Sequence, residues 1–183
     1  MIRVPSIGNS LQVAEPDLVL RAAIAADPGA GDVVELTAGE LGLIAWSGTR
    51  AHVENVAQQL IRAEAGEVDY RAIRVEGQLV TKGAIDYEEH PGAGAIFQVA
   101  TRPDLEGLGL ATRLIGALEA CAVHRGLHVV QLGVEPDNER ARRLYESLGY
   151  RAVGTSQASW EQELVDGTRR LYTTTLIEMT KEI

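Results

Sequence analysis

Between residues 95 and 134 the chain reads as an apolar strand, a glycine-containing turn, an amphipathic helix and a second apolar strand. The strands are 95–101 (AIFQVAT) and 128–134 (HVVQLGV), and the helix covers 109–124. Leu110, Leu114, Ala117, Leu118 and Cys121 recur at helical spacing as its apolar stripe, and Gly126 stops it. A crossover of this length joins parallel neighbours, in the right-handed sense, rather than closing a hairpin. Whatever surrounds it, the sheet must hold a parallel pair.

The flanking segments carry the antiparallel signature. Period-two alternation marks strands over 71–75 and 79–87, joined by a hairpin turn at Glu76-Gly77-Gln78. A shorter strand is expected over 32–36. A helix is expected over 52–65, where Val53, Val56, Ala57, Leu60 and Ile61 share a face and Gly66 follows. Beyond residue 134 a second helix covers 139–148. Two long alternating stretches then flank Val165-Asp166-Gly167-Thr168, a further hairpin signal. The expected fold is a mixed α/β, mainly antiparallel sheet with a central parallel pair and flanking helices. At 183 residues it fits a single domain spanning 1–183. The apolar stretch 18–26, closed by Asp27-Pro28-Gly29, either joins the core or belongs to an N-terminal extension over 1–30.

Composition narrows the function classes. The formal charge of −9 disfavours nucleic acid and anionic membranes and favours cationic ligands such as amines. No apolar run approaches the length of a membrane helix, and residues 1–5 lack the apolar core of a signal peptide. The expectation is a soluble, cytoplasmic protein. The single cysteine, Cys121, cannot form an intramolecular disulfide and reads as packing on its helix stripe. His124 and His128 have metal-ligand spacing, but Gly126 interrupts the helix that would align them, so no metal is expected.

The turn before the first crossover helix carries chemistry. Its glycines, Gly107 and Gly109, let the backbone approach a ligand, and the free amides of a helix start point outward with the positive end of the dipole. That suits phosphate oxygens. No Gly-Lys-Ser/Thr is present, and the dinucleotide fingerprint fails at Thr112 and in its position within the sheet.

About thirty residues later stands Asn138-Glu139-Arg140-Ala141-Arg142-Arg143-Leu144-Tyr145-Glu146-Ser147-Leu148-Gly149-Tyr150. A glycine turn opening a helix, a strand, then N-x-x-A-x-x-L-Y-x-x-x-G-Y resembles the GCN5-related N-acetyltransferase (GNAT) superfamily, over roughly residues 95–150. The resemblance implies the GNAT fold, in which the two central parallel strands splay and the pantetheine arm of acetyl-CoA lies between them. It implies that backbone groups at Val99, Ala100 and Thr101 serve the pantetheine amides and the thioester carbonyl. It implies that the amides of Gly107, Leu108, Gly109, Leu110, Ala111 and Thr112 take the pyrophosphate. Asn138 would contact the pantetheine arm, and Tyr145 would protonate the leaving thiolate. The implied reaction is acetyl transfer to a primary amine, on a small molecule or a protein, by direct attack on the thioester. A homodimer is an open arrangement.

Each of these residues also has a plainer reading. Asn138 sits where a helix N-cap belongs, and Tyr145 follows Leu144 into a core stripe. Arg142 and Arg143 suit a solvated face. The family's turn usually begins with Gln or Arg, whereas Glu106 stands here. Asp86, Glu88, Glu89, Glu135 or a water chain are the candidates for the general base. Acceptor specificity is expected from 36–65 and from the hairpin carrying Trp160; Trp46 and Trp160 themselves read either as pocket lining or, more plainly, as core or interface packing. A non-catalytic acyl-CoA-binding or sensing module on the same fold is the alternative.

Overall fold

The structure, a computed structural model, describes residues 15–164 and 166–183. Its elements in chain order are α1 (Glu15–Ala26), β1 (Asp32–Glu35), a 3-10 segment (Ala38–Ser47), α2 (Arg50–Glu64), β2 (Val68–Val75), β3 (Gln78–His90) and β4 (Ala93–Thr101). A short 3-10 turn (Pro103–Leu105) leads into α3 (Leu110–His124), β5 (Val129–Val134), α4 (Glu139–Ser147), β6 (Arg151–Glu163) and β7 (Arg169–Glu182). One seven-stranded sheet runs β1-β2-β3-β4-β5-β7-β6. Neighbours pair antiparallel except β4 with β5, so the expected parallel pair sits in the middle of the sheet.

Strand alternation on β2 divides the core between the two faces. Ile73 and Val75 point to a cluster formed with Leu20 and Ile24 of α1 and Leu114, Ile115 and Leu118 of α3. Val68, Tyr70 and Ala72 point the other way, to Ile44, Val56 and Leu60. Each fully buried Leu or Ile contributes roughly 1.5–3 kcal/mol over leaving it exposed. Leu20 and Ile24 are 1% and 0% exposed, which assigns α1 to the core; residues 1–14 of the expected extension lie outside the described residues. Strand β3 is buried without a break from Leu79 to Asp86, because helices cover both of its faces.

The closing hairpin forms as its turn chemistry dictates. Asp166 accepts from the backbone N–H and the hydroxyl of Thr168 at 2.9 and 2.6 Å, and Gly167 takes φ +80°. Val165 of the expected turn lies outside the described residues. Among the described residues no helix is long and apolar enough to cross a membrane.

Candidate active site

The parallel pair opens almost as soon as it forms. Strands β4 and β5 pair only at Gly94↔Val130 and Ala95↔Gln131. Three residues further along β4, Gln98 takes φ +53°, and the β3–β4 register shifts between Lys82 and Ala84. This is a bulge, and bulges bend the strand that carries them. Gly83 permits it: a Cβ there would stand 3.0 Å from Val99 Cγ2 and 3.1 Å from Leu114 Cδ2. Past the last pair, the facing edges of β4 and β5 have no strand between them.

A cleft of about 1170 Å³ occupies that opening. Its floor comes from Ala95 to Val99 and from Gln131 to Glu135. Asn138, Ala141 and Tyr145 of α4 form one wall, and the start of α2 with the β6–β7 hairpin forms the other. Two ties hold that second wall together. Glu163 accepts from the Ala51 amide at 2.9 Å, and Arg169 donates to Glu54 at 2.6 Å. Of the two readings open for the tryptophans, Trp160 takes the pocket-lining one, its ring 5.0 Å from that of Tyr172, while Trp46 donates to the Leu79 carbonyl.

Of the residues assigned to cofactor binding and acid catalysis in the sequence, Val99, Asn138 and Tyr145 line this cleft. Ala100 and Thr101 continue β4 beyond it, and the turn follows. The Ala100 carbonyl accepts from the Thr81 hydroxyl at 2.6 Å. In the turn, buried Leu105 and Leu110 anchor a loop in which Gly107 and Gly109 take φ +82° and +79°. A Cβ on either would meet nothing within 4 Å, so conformation, not crowding, calls for glycine there. Gly109 is the N-cap of α3 and has no side chain to satisfy the first-turn amides. The amides over 107–112 are thus available to an anion. Arg113 fixes the turn from behind, donating to the carbonyls of Ala30 and Gly31 at 2.6 and 2.8 Å. Glu106 forms an ion pair with Arg140 of α4, so its carboxylate is matched within the protein.

Asn138 does cap α4: its Oδ1 accepts from the Ala141 amide at 3.1 Å. The cap engages only the oxygen. Tyr145 lies seven residues on, its ring 5.9 Å from Tyr150 at 60°, and burial pushes its phenol above the ordinary value. It stays protonated at neutral pH. Among the candidate bases, Asp86 is committed elsewhere. It takes two hydrogen bonds from Arg62, at 2.5 and 3.2 Å, and one from the Glu88 amide at 2.8 Å. Burial raises its carboxyl, but these donors more than offset that and hold it below the usual range. Glu135 borders the cleft and accepts from the Tyr172 hydroxyl at 2.9 Å; Glu89 lies at the rim.

Sequence reasoning missed a polar cluster behind the bulge. Lys82, in the middle of β3, is 0% exposed and meets His52 Nε2 at 2.8 Å. The signal was a lone charged residue inside an otherwise uncharged strand run, Leu79-Val80-Thr81-Lys82-Gly83-Ala84.

The sequence profile of the acetyltransferase (GNAT) family matches residues 43–150, more than half of the chain. The chain belongs to the GNAT acetyltransferase family. A mycothiol acetyltransferase of Paenarthrobacter aurescens is 37% identical over 83 residues, which is 43% of this chain. The chain spans about a quarter of that relative's length, 26%. Among solved structures, the ribosomal-protein-alanine N-acetyltransferase of Brucella melitensis superposes with a TM-score of 0.64 at 21% identity. That match covers 83% of this chain and 99% of the other. A PaiA N-acetyltransferase of Thermoplasma acidophilum, solved in complex with coenzyme A, has a TM-score of 0.61 at 10% identity over 83% and 98% of the two chains. At these identities the GNAT neighbours speak for the fold.

Proposed function

We propose that this chain is an acetyl-CoA-dependent N-acetyltransferase that moves an acetyl group to a primary amine by direct attack on the thioester. One observation carries the reading: the parallel pair opens after two residue pairs into a cleft that Tyr145 and Asn138 border. Acetyl-CoA supplies an acetyl group activated as a thioester. The open edge of β4 at Val99, Ala100 and Thr101 offers main-chain groups to a pantetheine arm. A backbone amide of Val99 or Ala100 faces the charge that develops on the carbonyl oxygen, a contribution that in enzymes is commonly worth several kcal/mol. The amides over 107–112 take the pyrophosphate, as left-handed glycines and an uncapped helix start allow. Asn138 keeps its amide NH₂ for the pantetheine while its oxygen caps α4. Tyr145 donates its phenolic proton to the leaving sulfur.

The acceptor is an amine. The cleft's acceptor side carries Glu54, Glu89, Glu161 and Glu163 against Arg169, which pairs with Glu54 and Glu161, so the lining is acidic on balance and favours a cation. Small molecules and protein amines both meet that description.

Native mass spectrometry and a thiol-release assay test the proposal. The protein should retain or bind coenzyme A. It should release free thiol with at least one of spermidine, tyramine, a peptide with a free N-terminus, or a lysine peptide with a blocked one. Binding without thiol release from any of the four would leave a sensing module in place of an enzyme. No binding at all would remove the cleft's assignment.

A further inference from the structure

Lys82 has an unusual set of partners for a buried cation. Besides His52 Nε2 at 2.8 Å, its Nζ lies 3.1 Å from the Tyr70 hydroxyl and 3.3 Å from the Gln98 main-chain carbonyl. No carboxylate joins the group among the described residues. A lysine without a counter-ion loses much of its preference for the charged form when buried. The bulge assembles the set. Gln98, held at φ +53°, presents its carbonyl to Lys82 and accepts from the Tyr70 hydroxyl at 2.8 Å through its side chain. Its own amide is anchored on Asn55 Oδ1 at 2.5 Å. Tyr70 therefore spends its proton on Gln98 and turns its oxygen to Lys82. His52, near the start of α2, lines the cleft; Lys82 stands behind it.

We propose that His52 and Lys82 together accept the proton that the acceptor ammonium must lose before attack. His52 is the catalytic residue that meets the amine, and Lys82, acting through it, is the positioning residue that holds the displaced proton. The inference rests on the acetyl-transfer reading of the cleft.

The geometry serves both protonation states without moving a heavy atom. When Lys82 is neutral, two of its N–H bonds go to Tyr70 and Gln98, and its lone pair accepts Nε2–H of His52. Nδ1 of His52 is then bare and takes a proton from the ammonium. The Nε2 proton passes to Lys82, whose three N–H bonds then meet three acceptors. The freed amine forms the C–N bond and the C–S bond breaks. Tyr145 protonates the sulfur, and the second proton leaving the new amide nitrogen restores the phenol. One proton, held on Lys82, is the net release.

The electrostatics suit that exchange near neutrality. Burial brings Lys82 down to about 7. Burial, with the Lys82 charge adding to it, brings His52 down to about 4, so the ring is neutral. The groups facing Lys82 are His52 from α2, Tyr70 from β2 and the Gln98 carbonyl from β4. Tyr70 is pushed up by burial and stays a phenol.

The test is the pH profile of thiol release, with acetyl-CoA and whichever of the four amines above turns over. Wild-type kcat should rise with pH through a limb near 7. His52→Gln, which can still accept from Lys82, should lower kcat by about 10²-fold or more with acetyl-CoA affinity unchanged. Lys82→Met, close in volume, should lower kcat at pH 7 about tenfold and move the limb toward the amine's own pKa. Tyr70→Phe, which removes an acceptor for the lysine's charge, should move the limb down. A merely structural cluster would change stability and leave the limb in place. The inference fails if wild type turns over and both His52→Gln and Lys82→Met keep kcat within twofold and the limb unmoved. No thiol release by wild type with any of the four amines sinks the acetyl-transfer reading itself.

Discussion

The proposed cofactor end, the turn that follows β4, and the proposed acceptor end, inside the cleft, are built from different materials. At the first, the groups assigned to the ligand are main-chain amides over 107–112, presented by two left-handed glycines within one short loop. At the acceptor end they are side chains, His52, Lys82, Tyr70 and Gln98, brought from one helix and three strands. A main-chain site needs glycine at fixed φ and a helix start, so it writes itself into contiguous sequence. A side-chain site needs strand register, and a one-residue slip turns every contributor to the other face. The first kind is legible in a single chain. The second appears only once the sheet is assembled.

Tyr145 lines the cleft from α4, and its substitution should have the largest effect. Tyr145→Phe keeps the ring against Tyr150 and deletes the proton. Turnover should fall about 10²-fold, within the range of lost acid catalysis, while calorimetry finds acetyl-CoA affinity unchanged. Undiminished turnover, with chemistry rate-limiting, would take Tyr145 out of the mechanism and leave the α4 wall a binding surface alone.

A charge placed in the glycine turn probes the cofactor end by itself. Asp and Asn tolerate the left-handed conformation of Gly109 better than a branched residue does, and they differ from each other by one charge. Gly109→Asp and Gly109→Asn should therefore lower the thermal midpoint by similar amounts, both carrying the strain of φ +79°, while only Asp sets a carboxylate among the amides assigned to the pyrophosphate. Acetyl-CoA affinity should drop at least tenfold, about 1.4 kcal/mol, with Gly109→Asn losing much less. Equal affinity in both variants would move the anion site away from this turn.

The same contrast explains what could be read in advance. Two apolar strands around an amphipathic helix specified the β4–α3–β5 crossover and, with the motif from Asn138 to Tyr150, the family. The opening of the pair was expected only through that resemblance. Its local causes, Gln98 at positive φ and Gly83 beneath Val99, lie in residues whose types announce nothing. Asp86 stood among the candidate bases as a carboxylate near the end of a strand, yet Arg62, twenty-four residues upstream, claims it. Lys82 was visible as a charged residue in an uncharged strand run, but its three partners come from positions 52, 70 and 98.

The acceptor end should also be visible in stability without any substrate. Lys82 ionises at about 7 in the folded protein against 10.5 for an unperturbed lysine. Between those values the unfolded chain holds the proton and the folded chain does not, so stability rises with pH across that window. Below about 7 both states are protonated and the full penalty of a buried charge remains. Lys82→Met should therefore stabilise at pH 7 and progressively less toward pH 10. Urea midpoints of the two proteins should converge as pH rises; parallel curves would mean that Lys82 is not desolvated in solution.

The smallest effect is expected at Glu106, the cofactor end's departure from the family pattern. A carboxylate at a helix start beside a pyrophosphate is unfavourable when unpaired, because it competes for the same amides and repels the ligand. Here Arg140 of α4 engages it, and both side chains are substantially exposed, at 41% and 64%. Exposed pairs are worth only about 0.2–1 kcal/mol, and salt screens them further. Glu106→Gln alone removes a charge that is already matched and releases Arg140 toward the phosphates. Acetyl-CoA affinity should tighten by less than about twofold at physiological ionic strength. Arg140→Ala does the opposite: it bares the carboxylate, and affinity should weaken several-fold, most at low salt. The double substitution should return close to wild type, because neither charge remains to favour or oppose the ligand. If Glu106→Gln tightened binding tenfold instead, the carboxylate would face the ligand rather than Arg140, and the turn would no longer be a purely main-chain site.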